Sequence, residues 1–140
     1  MFNKIPRKSY ILMLLVFALS MMVFPFDVAM EFSAGPEETT LQVFPYFSLT
    51  PWGYGNWFPL LAGILTLAVV VMVFLPPRWK LDKAMVIVLG LSMVCTPLSW
   101  LLFNTFADGS VIILLFQAAA LLFFLVPSKK PKAPQDNQTK

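Results

Sequence analysis

The chain has 140 residues, 59% of them hydrophobic and 12% charged, with a formal charge of +3. An average soluble domain is about 25% charged, so this composition excludes an ordinary soluble globule, a disordered chain and a nucleic-acid binder with an all-basic surface. With no histidine and only Cys95, an internal disulfide, the usual zinc ligand sets and any imidazole-dependent catalytic unit are excluded as well.

Lys4, Arg7 and Lys8 precede the first uncharged apolar run, Tyr10 to Phe26. A spanning helix needs about 17–25 apolar residues, and the run predicts one over 9–26. A basic start before an apolar stretch is also the grammar of a signal peptide. However, Asp27 or Phe32 would occupy the critical small position for cuts after Ala29 or Ala34. A retained helix is the preferred reading, although the charge pattern fits cleavage too.

The segment 27–56 is too small to bury its own core and has no cysteine to staple it. DVAMEFS alternates apolar and polar residues, TTLQVFPY does so more weakly, and AGPEE between them is turn-like. A short β-hairpin and an irregular loop both fit. Next, Tyr46, Trp52, Tyr54 and Trp57 cluster where an interfacial aromatic belt is expected. Thr50 and Pro51 can cap a short helical turn, and Asn56 can cap the next span, with Pro59 in its first turn. Gly53 and Gly55 allow a tight path between them.

The second run predicts a helix over 57–75, stopped by Pro76 and Pro77. The third predicts a helix over 84–103, kinked at Pro97, with Ser92, Cys95, Thr96 and Ser99 near one face. Asp108 and Gly109 supply a turn, and Ser110 can cap a fourth helix over 110–126. Gln117 lies midway along that helix, followed by Ala118, Ala119 and Ala120. Its amide can bond across helices, and the alanines admit a neighbouring backbone. The tail 127–140 is polar and proline-containing, and reads as a disordered cytoplasmic segment.

With four spans, every lysine and arginine falls on one side. The two remaining connections hold only acidic charges: Asp27, Glu31, Glu37, Glu38 and Asp108. The positive-inside rule then puts both termini in the cytoplasm of a multi-pass cell-membrane protein. The expected fold is an all-α membrane protein, an up-down antiparallel bundle of four transmembrane helices over 1–126. A small outer loop or short β-hairpin joins its first two helices.

No predicted span contains an ionisable carboxylate or base. Small multidrug exporters of similar length need a carboxylate in the first span, where this chain has only Ser20. The stretch Ser48 to Thr66 carries Thr50-Pro51-Trp52-Gly53-Tyr54 followed by Asn56-Trp57 and Pro59. It resembles a motif, T-P-aromatic-G-Y-x-N-aromatic-x-P, of small four-span membrane proteins of Gram-positive bacteria. The resemblance implies a plasma-membrane setting and no particular activity.

The residues thus point to a protein without catalytic residues, metal or cofactor. The expected role is that of a non-catalytic accessory or regulatory subunit. Trp52, Tyr54, Asn56, Trp57 and Gln117 are the candidate contacts to a partner or ligand. The expected partners are membrane lipids and a protein partner or second copy, with no nucleic acid. The competing reading is a small oligomeric transporter or channel component with its path along the Pro97 kink.

Overall fold

A computed structural model of the protein describes residues 7–33, 35, 38–75 and 81–126. Lys4, Glu37, the helix stop at Pro76 and Pro77, the cations Arg78 and Lys80, and the tail 127–140 lie outside the described residues. Among the described residues the elements run α1 (Arg7–Val23), β1 (Val28–Ser33), β2 (Thr39–Phe44), α2 (Leu49–Gly53), α3 (Phe58–Phe74), α4 (Asp82–Phe103) and α5 (Asp108–Leu125).

The expectation of four spanning helices in an all-α fold is corrected on two counts. Only α4 and α5, with 22 and 18 residues, are long and apolar enough to cross a membrane. Helices α1 and α3 each have 17 residues. They lie at the very bottom of the spanning range of about 17–25 residues, below the length of α4 and α5. The cause in α1 is visible. Its first two residues are Arg7 and Lys8, and the chain turns at Pro25 and Phe26 instead of carrying the helix to the end of the apolar run. A proline disfavours helical backbone in the residue before it and donates nothing itself. Second, the fold contains a sheet: β1 and β2 pair antiparallel, with Val28 opposite Phe44 and Ser33 opposite Thr39. The alternation in the sequence therefore forms a hairpin. Its base, at Val28 and Ala29, is buried, whereas most of β2 is exposed.

The long helices pack in a ring of neighbours: α1 against α3 and α5, and α4 against α3 and α5. Tyr10 stacks on Phe123 and Phe17 on Phe116, so α1 and α5 run antiparallel. Side-chain bonds from Gln117 to Ser92 and from Trp100 to Ser110 give the same sense for α4 and α5. The connection between those two turns on Asn104, which adopts a left-handed backbone with φ 51°; asparagine tolerates this conformation better than most residues. Asp108 and Gly109 do not form the expected turn. They open α5, and Ser110 lies inside the helix instead of capping it, its hydroxyl donating to the Ala107 carbonyl. Helix α4 runs through Pro97 as a single element.

Two apolar clusters fill the interior. One holds Ile11, Leu15, Val69, Val70, Met85, Leu89 and Ala120. The other holds Met22, Val28, Tyr46, Ala62, Cys95 and Ile113. Along each helix, one fully buried residue separates the two: Ala18 in α1, Thr66 in α3, Ser92 in α4 and Gln117 in α5. Three of these four are polar.

Candidate functional site

The middle layer is a closed hydrogen-bond cluster. Gln117 Nε2 donates to Thr66 Oγ1 at 2.8 Å and to Ser92 Oγ at 3.0 Å. The two hydroxyls lie 2.8 Å apart, and each is within bonding distance of the Ala62 carbonyl. A hydroxyl has one proton, so one of them donates to Ala62 and the other bridges the pair. Gln117 Oε1 is buried without a partner, and Ala18, at the same level of α1, has no donor to offer. Such a layer costs stability compared with apolar packing, but it fixes the register of the helices that share it.

Two further polar contacts lie towards the hairpin end of α4. Tyr46 Oη and Thr96 Oγ1 are 3.1 Å apart, and the Tyr46 backbone N–H reaches back to the Met22 carbonyl near the end of α1. Burial pushes the Tyr46 phenol well above its ordinary value, and the Thr96 bond works against that shift. Beyond it, Asn56 Nδ2 donates to Ser99 Oγ at 2.8 Å, and Ser99 pairs with Thr105 at 2.6 Å. The expected cap at Asn56 is therefore not made: Trp57 occupies the cap position of α3 without a side-chain bond. Thr50 and Pro51 likewise lie inside α2, and Ser48 caps it through Thr50 N–H at 3.2 Å.

Asp27 is the most unusual group. It is 1% exposed, and among the described residues neither carboxylate oxygen has a hydrogen-bond partner. Desolvation raises its pKa from 3.8 to about 7. It sits against the start of α5. A Cβ placed on Gly109 would overlap Asp27 Oδ1 and lie 2.5 Å from the Phe26 carbonyl oxygen. Glycine is needed there for space, whereas Gly55 has a positive φ, 83°.

The five candidate contacts do not form one site. Trp52, Tyr54 and Trp57 are about half exposed at the hairpin end, whereas Asn56 and Gln117 are buried in separate polar clusters. Tyr54 meets Phe32 of the hairpin edge-on at 5.3 Å, and Phe32 meets Phe44 at 6.0 Å. Trp57 stacks on Phe58 at 5.0 Å. The hairpin and α2 thus share an aromatic lip. Tyr46 is not part of it, being 2% exposed. Sequence reasoning missed Thr66, Thr105 and the burial of Asp27. A hydroxyl inside an apolar run was the available sign for Thr66.

Comparison with protein-family models, curated proteins and solved structures finds no match.

The middle layer makes a direct prediction. Thr66→Val removes a bonded acceptor and leaves Gln117 Nε2 short of a partner, at a cost of about 1–3 kcal/mol. Gln117→Leu removes both donated bonds but also the unpartnered Oε1, so its cost stays below about 1 kcal/mol. Equilibrium unfolding in mixed micelles measures both. A larger loss for Gln117→Leu than for Thr66→Val would contradict the described bonding.

Proposed function

We propose that this is an integral membrane protein whose α4 and α5 cross the bilayer as an antiparallel hairpin. In this reading it serves as a non-catalytic accessory or regulatory subunit, contacting a protein partner through the aromatic lip. The observation that carries the proposal is inverted burial. Only 28% of the apolar window in α4 and in α5 is buried. Leu91, Leu101, Leu115 and Leu122 are each more than half exposed, while Ser92, Thr96, Ser99 and Gln117 are buried. A core helix of a water-soluble protein turns its leucines inward. Hydrocarbon suits the outward leucines, and polar side chains then bond between helices.

The charges support an orientation. Arg7 and Lys8 begin α1 beside the C-terminal part of α5, and Lys83 is in the first turn of α4. Asp27, Glu31 and Asp108 lie at the opposite end. The positive-inside rule puts the end bearing Lys83, where α4 begins and α5 ends, in the cytoplasm. The resemblance over Ser48 to Thr66 favours the plasma membrane. The lip carries the contact: Leu49, Trp52 and Tyr54 are 71%, 56% and 63% exposed, and aromatic anchors dominate binding energies at interfaces.

A photo-crosslinking residue at Trp52, in native membranes, is expected to capture one stoichiometric protein, with Tyr54→Ala reducing its recovery at least tenfold. Solute movement by the purified, reconstituted protein alone would instead establish a transport role. Orientation is checked on a Cys95→Ala background: Phe106→Cys, in the α4–α5 connection, should label from outside, and Lys83→Cys only after permeabilisation.

A further inference from the structure

At the end opposite the hairpin, a cavity of about 260 Å³ opens among all four long helices. Arg7, Lys8 and Ile11 of α1, Val73 of α3, Asp82 and Met85 of α4, and Phe124 of α5 line it. Arg7 is half-buried beside it, and its Nη2 has no hydrogen-bond partner among the described residues. A buried guanidinium nitrogen without an acceptor is costly, and its fork geometry matches a phosphate or carboxylate. The remaining walls are mostly apolar, unlike a site for a fully hydrated ion. A groove between α4 and α5 adjoins the cavity and shares Asp82 and Phe124 with it. That groove continues over Val86, Ile87 and Leu125, of which Ile87 and Leu125 are 69% and 59% exposed.

We propose that this cavity binds the phosphodiester headgroup of an anionic phospholipid, with Arg7 and Lys8 holding the phosphate and the α4–α5 groove carrying an acyl chain. The proposal rests on the membrane reading above. At about 260 Å³ the cavity lies just below the range of about 300–1,000 Å³ typical of small-molecule sites, a size that suits a headgroup and leaves the chains outside. Lys83, on the rim of the groove, adds positive charge where the headgroup enters. Among the described residues, Asp82 is the one carboxylate in the lining. It repels phosphate from its own side, towards α1, and can accept a bond from a headgroup hydroxyl such as that of phosphatidylglycerol. Basic pockets between helices on the cytoplasmic side are where such lipids are recognised.

The full chain in neutral detergent provides the test, with phosphatidylglycerol, phosphatidylcholine and inorganic phosphate as separate probes. Phosphatidylglycerol should raise the unfolding temperature saturably, phosphatidylcholine should not, and inorganic phosphate should have little effect. Arg7→Gln should weaken phosphatidylglycerol binding at least tenfold, with Arg7→Lys intermediate because it keeps the charge and loses the fork. Circular dichroism of each variant without lipid separates lost binding from lost folding, and Lys8→Gln gives a second reading if Arg7→Gln does not fold. Unchanged lipid affinity in a folded Arg7→Gln or Lys8→Gln protein overturns the site. Equal stabilisation by inorganic phosphate overturns the lipid assignment. Alkaline carbonate extraction keeps the two readings apart. A protein that stays with the membrane yet shows no lipid preference loses only the headgroup site, whereas one released into solution loses the membrane reading itself.

Discussion

Asp27→Asn should make the protein more stable at pH 8 and no more stable at pH 4. In the fold the Asp27 carboxylate is enclosed with both oxygens unpartnered, and desolvation raises its pKa from 3.8 to about 7. The proton is therefore bound more tightly in the folded protein than in the unfolded chain. Stability from this group is fully present below about pH 4 and is lost as pH rises towards 7, because the fold must then hold a buried charge. Above pH 7 the loss is on the order of 4 kcal/mol. Asparagine mimics the protonated acid at every pH. Its amide brings a donor that also lacks a partner, which takes back about 1–3 kcal/mol. The net expectation at pH 8 is a gain of roughly 1–3 kcal/mol, or several degrees in Tm. Thermal unfolding in detergent at intervals from pH 4 to 8 should show the natural protein declining and the variant nearly flat. Parallel curves, or a variant less stable at pH 8, would show that the carboxylate is solvated or paired.

That burial could not be read from the sequence. An aspartate in a connection between apolar runs reads as a solvated loop residue, because charged side chains are almost never fully buried without a partner. What encloses Asp27 is the start of α5, distant in sequence, and only tertiary packing brings Gly109 against it. The polar layer was half legible. Ser92 and Ser99 lie a heptad apart and share a face, and Gln117 stands out in its apolar run, so an inward role for each could be argued. Their partners could not, since pairing Gln117 with Thr66 and Ser92 depends on the axial alignment of three helices. Nor does a single sequence distinguish Tyr46, which is buried against Thr96, from Trp52 and Tyr54, which are exposed.

The lengths of the helices show a different limit. Counting uncharged residues merged Pro25 and Phe26 into the first run, although Pro25 carries the stop signal in its own chemistry. The count measures how much apolar chain there is; the helix ends where the backbone can no longer be satisfied. The hairpin is the opposite case. Its alternation was present in DVAMEFS, and pairing with TTLQVF gives the backbone groups of both strands partners, which an irregular loop would have to find elsewhere.

Gly109→Ala and Gly90→Ala should move stability in opposite directions. Both positions are helical, in α5 and α4. Replacing a helical glycine with alanine is ordinarily stabilising by about 0.5–1 kcal/mol, because alanine loses less backbone freedom on folding. Gly90 has nothing within 4 Å of an added Cβ, so it should show that gain. Gly109 should not, since its Cβ would lie 2.5 Å from the backbone oxygen of Phe26 and overlap Asp27 Oδ1. A backbone atom cannot swing away as a side chain can. The start of α5 or the turn after α1 must shift, at a cost typical of overpacking, about 1–3 kcal/mol. Combining Gly109→Ala with Asp27→Ala tests the geometry further. Losing the carboxylate removes one of the two overlaps and leaves the Phe26 contact, so the double variant should recover only part of the loss from Gly109→Ala. The two changes share a contact and should not be additive. Unfolding of five proteins at pH 5, the natural chain, Gly90→Ala, Gly109→Ala, Asp27→Ala and the double variant, separates this steric effect from the charge, since the natural Asp27 is then mostly protonated. A Gly109→Ala protein as stable as Gly90→Ala would mean that α5 does not approach Asp27 this closely.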